Sequence, residues 1–190
     1  MNYYDENAKE FFDGTVDADM SSHHDKFLKL MPENGCILDA GCGSGRDAKI
    51  FKDLGFEVTA IDGSLEMCKL ASEFSGGNVK HMQFQEIDFS NEFDGIWASA
   101  SLLHVPSEEL DLVLRKLKNS LKKNGILYAS FKYGDFEGER NGRYFNDLTE
   151  NTAIEIFEKN EFEVIETWIT HDARPGREDE KWTNILVSNP

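Results

Sequence analysis

Short apolar runs alternate with helical stripes along the first two-thirds of the chain. Cys36-Ile37-Leu38 runs into Asp39 and a glycine cluster, and Val58-Thr59-Ala60-Ile61 runs into Asp62. Met82 to Ile87 is a weaker run ending in Asp88. Ile96-Trp97-Ala98 follows Asp94-Gly95, and Ile126 to Phe131 follows Asn124-Gly125. Runs of this length bounded by turn residues predict strands. Helices are predicted between them over about 46–54, 64–74 and 107–123. In the last, Ser107 can cap and Leu110, Val113, Leu114, Leu117 and Leu121 repeat at helical spacing. Strands separated by helices need crossovers. The pattern therefore predicts βαβ units and an α/β fold, a doubly wound, mostly parallel sheet covered on both faces.

The ends differ from the middle. Thr149 can cap a helix to about Lys159, and Phe162 to Thr170 and Trp182 to Ser188 are strand-like runs joined by a polar loop, His171 to Lys181. These predict an antiparallel last hairpin. Tyr4, Ala8, Phe11 and Phe12 lie at helical spacing, and Asp25 to Leu30 suits a second short helix. Residues 1–30 are thus expected to form a helical lid, 36–131 the binding core, and 132–190 a loop, helix and hairpin on the substrate side of one domain.

Charge narrows the partners. Lys and Arg total 20 against 36 Asp and Glu, a formal charge of -16. Such a surface repels phosphate backbones and anionic membranes, which argues against nucleic acid and for a small-molecule partner. The amino terminus lacks the basic and apolar regions of a signal peptide, and no apolar run nears the roughly 20 residues of a membrane span. Cys36, Cys42 and Cys68 form no CxxC pair. A cytoplasmic location with buried thiols is expected, and His23, His24 and His81, which lack metal-ligand spacing, are expected at the surface.

Candidate chemistry centres on Asp39-Ala40-Gly41-Cys42-Gly43-Ser44-Gly45-Arg46. Glycines after a strand let the backbone turn tightly and approach a ligand, and the next helix offers free N–H groups. Asp62, 17 residues after Gly45, is placed to accept hydrogen bonds from both hydroxyls of a ribose. Asp88 is placed to reach an adenine amine. Three acidic strand ends point to one nucleoside-shaped crevice. Arg46 stands where a dinucleotide fingerprint wants its third glycine, which disfavours a nicotinamide-dependent oxidoreductase.

On these residues the chain resembles the class I S-adenosylmethionine-dependent methyltransferases. Asp39 to Gly45, Ala60-Ile61-Asp62 and Glu86-Ile87-Asp88-Phe89 look like their first three motifs. Phe93 to Trp97 and Ser101 to Pro106 look like their fourth strand and its turn, and Asn124 to Leu127 like the turn into their fifth. The chain also resembles the small tellurite-resistance-related branch. The resemblance implies a seven-stranded Rossmann-like sheet with a reversed last hairpin, and S-adenosyl-L-methionine as cofactor. Besides the oxidoreductase, a non-catalytic S-adenosylmethionine-binding or interaction protein is the other alternative. It implies that Gly41, Gly43 and Gly45 line the methionine and ribose, Asp62 holds the ribose and Asp88 the adenine amine. Met67 and Phe89 would pack on the ring, Asp39 would support the ammonium, and Gly63 and Ser99 would complete the lining. Arg46 pairs either with the cofactor carboxylate or with Asp47.

On the acceptor side, His104 is either a general base near the methyl or a structural turn histidine. Arg143, Arg174 and Arg177 are expected to converge on a small anionic substrate, with Tyr4 and Trp182 as walls; salt bridges to nearby carboxylates are the competing reading.

Overall fold

Side chains of a strand leave on alternate faces, so the sequence of each central strand dictates what covers the sheet. The computed structural model describes residues 3–190. In it β1 (Cys36–Ala40), β2 (Glu57–Asp62), β3 (Val79–His81), β4 (Phe93–Ala98) and β5 (Leu121–Lys132) are parallel. A separate hairpin pairs β6 (Glu137–Arg140) with β7 (Arg143–Asn146), and β8 (Glu163–His171) and β9 (Lys181–Ser188) add an antiparallel edge. The seven-stranded order is β3-β2-β1-β4-β5-β9-β8. The chain winds outward from β1 to β3, then crosses to β4 on the other side of β1. That reversal opens a crevice beyond the carboxyl ends of β1 and β4.

Among the described residues, seven helices flank the sheet: α1 (Tyr3–Glu6), α2 (Ala8–Thr15), α3 (Ser21–Leu28), α4 (Arg46–Asp53), α5 (Leu65–Ser75), α6 (Ser107–Ser120) and α7 (Glu150–Lys159). Ile37, Trp97, Ile126 and Tyr128 face Phe27 of α3 and Phe51 of α4. Their neighbours Leu38, Ile96, Leu127 and Ala129 face the other way, with Leu110, Leu114 and Leu117 of α6 and Phe157 of α7. Trp97 and Tyr128 are register partners, and their rings stack 4.1 Å apart. Burying each large side chain of this kind contributes about 1.5–3 kcal/mol. No helix among the described residues is long and apolar enough to cross a membrane.

Several expectations need correction. The third strand is Val79–His81, not Met82 to Ile87, where a 3-10 turn covers Phe84–Glu86. The apolar–polar alternation there mimics a strand, but the Gln83 N–H donates to Glu86 Oε2 at 2.7 Å and closes the turn. Asp88 therefore lies in an exposed stretch rather than at a strand end. Helix α6 stops at Ser120, because Leu121 already pairs with Phe93 in the sheet. His23 and His24 are buried: they lie on the face of α3 that packs on Tyr128, Phe51 and Trp97. His81 is exposed as expected. The first two residues of the expected lid lie outside the described residues.

Candidate active site

A cavity of about 930 Å3 occupies the crevice, near the top of the roughly 300–1,000 Å3 range of ligand sites. Its floor is the glycine loop. Gly41 has φ +79°, and a Cβ there would stand 2.5 Å from the Ser101 Cβ, so only glycine fits. Gly43 donates its N–H to Asp62 Oδ2 at 2.9 Å, while Ser64 N donates to Asp62 Oδ1 at 2.9 Å. Burial pushes the Asp62 carboxyl up, and the Ser64 and Gly43 N–H groups oppose it. Each oxygen keeps a lone pair for a ligand. Asp39 is buried, with Oδ2 lacking a hydrogen-bond partner among the described residues. Burial, reinforced by the nearby charge of Asp47, pushes it well above the usual carboxylate range.

Helix α1 and helix α2 close over this floor. Asp5 Oδ1 accepts from Ser64 Oγ at 2.6 Å, and Phe12 packs edge-on against Phe74 of α5. Arg46 grips Asp47 at 2.8 and 2.7 Å, and its Nη1 donates to the Thr15 carbonyl at 3.1 Å. Of the two readings of Arg46, the structure has the pair with Asp47. The same Asp47 accepts from His24 Nε2 at 2.9 Å and Trp97 Nε1 at 2.8 Å.

Under the lid and the β6–β7 hairpin, Tyr4 Oη and His104 Nε2 lie 2.6 Å apart, and His104 Nδ1 lies 2.6 Å from the Tyr144 carbonyl. Burial holds the imidazole down at about 4, with the Arg143 charge acting in the same direction. Arg143 Nη1 reaches Tyr4 Oη at 3.5 Å, and its guanidinium lies 4.8 Å from the Tyr3 ring and 5.1 Å from the Phe145 ring. Its Nε is buried without a partner among the described residues. The cavity lining carries as many Lys and Arg as carboxylates, whereas the chain as a whole has 20 against 36.

The structure gathers most of the expected site residues and relocates others. Asp39, Gly41, Gly43, Arg46, Asp62, Gly63, Met67, Ser99, His104, Tyr4, Arg143, Arg174, Arg177 and Trp182 line the cavity. Gly45, Asp88 and Phe89 do not. Gly45 caps α4 at φ +77°, and a Cβ there would meet Ala71 of α5 at 3.0 Å, so it serves helix packing. Phe89 packs under Lys80 and against Phe93. Met82, Gln83 and Phe84 line the wall where Asp88 and Phe89 were expected. Arg174 is held bidentately by Asp172, at 2.8 and 2.6 Å, and Arg177 faces Glu180 at 3.6 Å. They reach the cavity already neutralised, because the hairpin loop supplies carboxylates within two or three residues of each. Sequence reasoning missed the β6–β7 flap, though Asn141-Gly142 between two arginines is a hairpin-turn signal; both have positive φ.

Residues 38–129 match the family model described as a methyltransferase domain. An uncharacterized methyltransferase of Staphylococcus carnosus (strain TM300) is 30% identical over 77% of this chain and 78% of its own length. A ubiquinone biosynthesis O-methyltransferase of Xanthomonas axonopodis pv. citri is 33% identical over 54% of this chain and 45% of its own. The chain thus spans most of the first relative and under half of the second. In fold, it is similar to the Burkholderia thailandensis 1,6-didemethyltoxoflavin-N1-methyltransferase solved with its acceptor and S-adenosylhomocysteine. That match has TM-score 0.77, 21% identity, 97% of this chain and 83% of the other. With the glycine loop, the switch-point cavity and these similarities together, the chain belongs to the class I S-adenosylmethionine-dependent methyltransferases.

Proposed function

We propose that the chain methylates a small organic molecule bearing an anionic group, and that Arg143 holds that group. The observation that carries this reading is that Arg143 has no carboxylate partner among the described residues. Its neighbours Arg46, Arg140 and Arg174 in the lining each grip an aspartate. A guanidinium with a buried, unsatisfied Nε suits a carboxylate or phosphate oxygen. The ubiquinone-biosynthesis relative supports a small-molecule acceptor.

The residues present suit S-adenosylmethionine. The orphaned Asp39 oxygen is an acceptor awaiting a donor, such as an ammonium. Asp62 offers two lone pairs for ribose hydroxyls. Gly41 and Gly43 leave room for close approach, with Gly63, Met67 and Ser99 beside them, and Gln83 and Phe84 take the adenine position. When bound, the sulfonium supplies an already activated methyl group. The protein's own work is then to align the acceptor and exclude water. Helices α1 and α2 serve as the lid, and Trp182, Arg174 and Arg177 form the far wall. A cytoplasmic setting suits three free cysteines.

Incubation with methyl-labelled S-adenosylmethionine and a metabolite extract tests the proposal. Label should enter a small anionic product, and Arg143→Gln should lower kcat/KM by about 10- to 100-fold, the loss of one charge-assisted hydrogen bond of about 1.5–3 kcal/mol. Label confined to protein or RNA, or an unaffected Arg143→Gln enzyme, would contradict it.

A further inference from the structure

The hydrogen bonds around His104 have a direction. The Tyr144 carbonyl can only accept, so His104 Nδ1 carries a proton and donates to it across 2.6 Å. The buried ring is neutral, so Nε2 has a lone pair, and the 2.6 Å contact is Tyr4 Oη–H donating to Nε2. With its proton committed, the Tyr4 oxygen keeps its lone pairs, and the residue lines the cavity. Arg143 Nη1, at 3.5 Å, covers at most one of them. The charged groups facing the pair are Arg143 from the β6–β7 flap, Arg174 from the β8–β9 loop and, across the cavity, Asp62 at the end of β2. Three separate elements meet here: the lid brings Tyr4, the turn after β4 brings His104, and the flap brings Arg143 and the Tyr144 carbonyl.

We infer that Tyr4 and His104 form a proton relay for a protic acceptor, one whose methylated atom X carries a hydrogen, as in a phenol or a ring N–H. The X–H group would donate to the free lone pair of Tyr4 Oη. As the lone pair on X forms its bond to the methyl carbon, the carbon–sulfur bond breaks and its electron pair stays on sulfur. The X–H proton passes to Tyr4 Oη while the Tyr4 proton passes to His104 Nε2, so the tyrosine ends as it began. The resulting imidazolium keeps its bond to the Tyr144 carbonyl and loses its proton to water when the lid opens. Arg143 steadies negative charge on the Tyr4 oxygen during the exchange. A bare anion at X would meet the tyrosine lone pair with no hydrogen between them, so the site selects against aprotic nucleophiles. The edge-on rings of Phe11 against Tyr4, at 5.0 Å, and Phe145 against His104, at 5.1 Å, make the surroundings aromatic and suit a planar acceptor.

This inference rests on the proposed methyl-transfer site, and its test separates the two. Nitrogen-15 spectra of the histidines, with His104 assigned by its loss in His104→Gln, should show a neutral Nδ1–H tautomer at pH 7. Tyr4→Phe should move the Nε2 resonance. With S-adenosylhomocysteine present, phenol should shift Nε2 in the parent protein and leave it unmoved in Tyr4→Phe; anisole, which has the ring without the O–H, should not shift it in either. An Nε2–H tautomer, a charged ring, no response to phenol, or an equal response to anisole would overturn the relay. Calorimetry of S-adenosylhomocysteine on the same samples reports the cofactor site independently. Binding there with no phenol response sinks the relay alone, whereas absent binding sinks the site reading beneath it.

Discussion

Asp47→Asn is expected to destabilise the protein by about 3 kcal/mol. The Asp47 carboxylate is buried and its lone-pair sites are filled by Arg46 Nε and Nη2, His24 Nε2 and Trp97 Nε1. Burial works against this charge, but Arg46 and the hydrogen bond from His24 hold Asp47 well below the usual carboxylate range. At 2.7 Å and an effective dielectric constant of 20, the Arg46 attraction is about 6 kcal/mol, which the desolvation of both ions largely offsets. Neutralising Asp47 alone keeps the desolvation of Arg46 and removes its counter-charge, a change that costs about 3–5 kcal/mol at buried sites. Arg46 remains 15% exposed, which places the loss at the lower end. An asparagine amide also turns N–H groups toward donors. With a urea m-value of about 2 kcal/mol/M, the unfolding midpoint should fall by about 1.5 M. Tryptophan fluorescence reports the transition, with Trp97 contributing from inside the cluster in addition to Trp168 and Trp182. Adding Arg46→Met should cost less than the sum of the single changes, with coupling of about 1 kcal/mol or more. A midpoint shift below about 0.5 M, or strict additivity, would refute this reasoning.

His104 is held at about 4 in the fold against about 6.5 when unfolded. Its contribution is complete above pH 6.5 and lost as pH falls through that window, reaching about 3 kcal/mol near pH 4. The stability difference between parent and His104→Gln should shrink by that amount from pH 7 to 4 in urea titrations; a constant difference would refute the assignment. Gly41→Ala must place a Cβ against Ser101 at φ +79°, a strain of about 1–2 kcal/mol before the clash. It should lower Tm and weaken S-adenosylmethionine at least about tenfold by calorimetry. Deleting residues 1–15 should leave native circular dichroism with impaired label transfer, and full turnover would reduce the lid to packing.

The central strands are legible because their alternation separates two real faces: Trp97 meets Phe51 and Tyr128, while Ile96 and Ala98 meet the α6 side. The same rule misleads at Met82-Gln83-Phe84-Gln85, where a local turn bond decides the backbone and period two is incidental. That Gly41, Gly43 and Asp62 meet in one cavity is legible because they stand at the carboxyl ends of two adjacent parallel strands. Arg174 and Arg177 are less so. Composition shows arginine in two loops, but only coordinates show Asp172 and Glu180 occupying their guanidinium groups. The signal for burial of His23 and His24 is helical spacing with Phe27, a face that short helix α3 presents to the sheet. The Tyr4–His104–Tyr144 chain joins residues 100 and 40 positions apart, a tertiary juxtaposition without a local signal.

The central claim is that Asp62 and the glycine loop hold S-adenosylmethionine. Calorimetric titration of the parent protein and Asp62→Ala with S-adenosylmethionine, S-adenosylhomocysteine and NAD tests it most directly. The account predicts binding of the first two, no binding of NAD, and a loss of about 1–3 kcal/mol in Asp62→Ala, the scale of buried charge-assisted hydrogen bonds. Equal affinity in parent and variant, or NAD binding that competes for the same cavity, would contradict it.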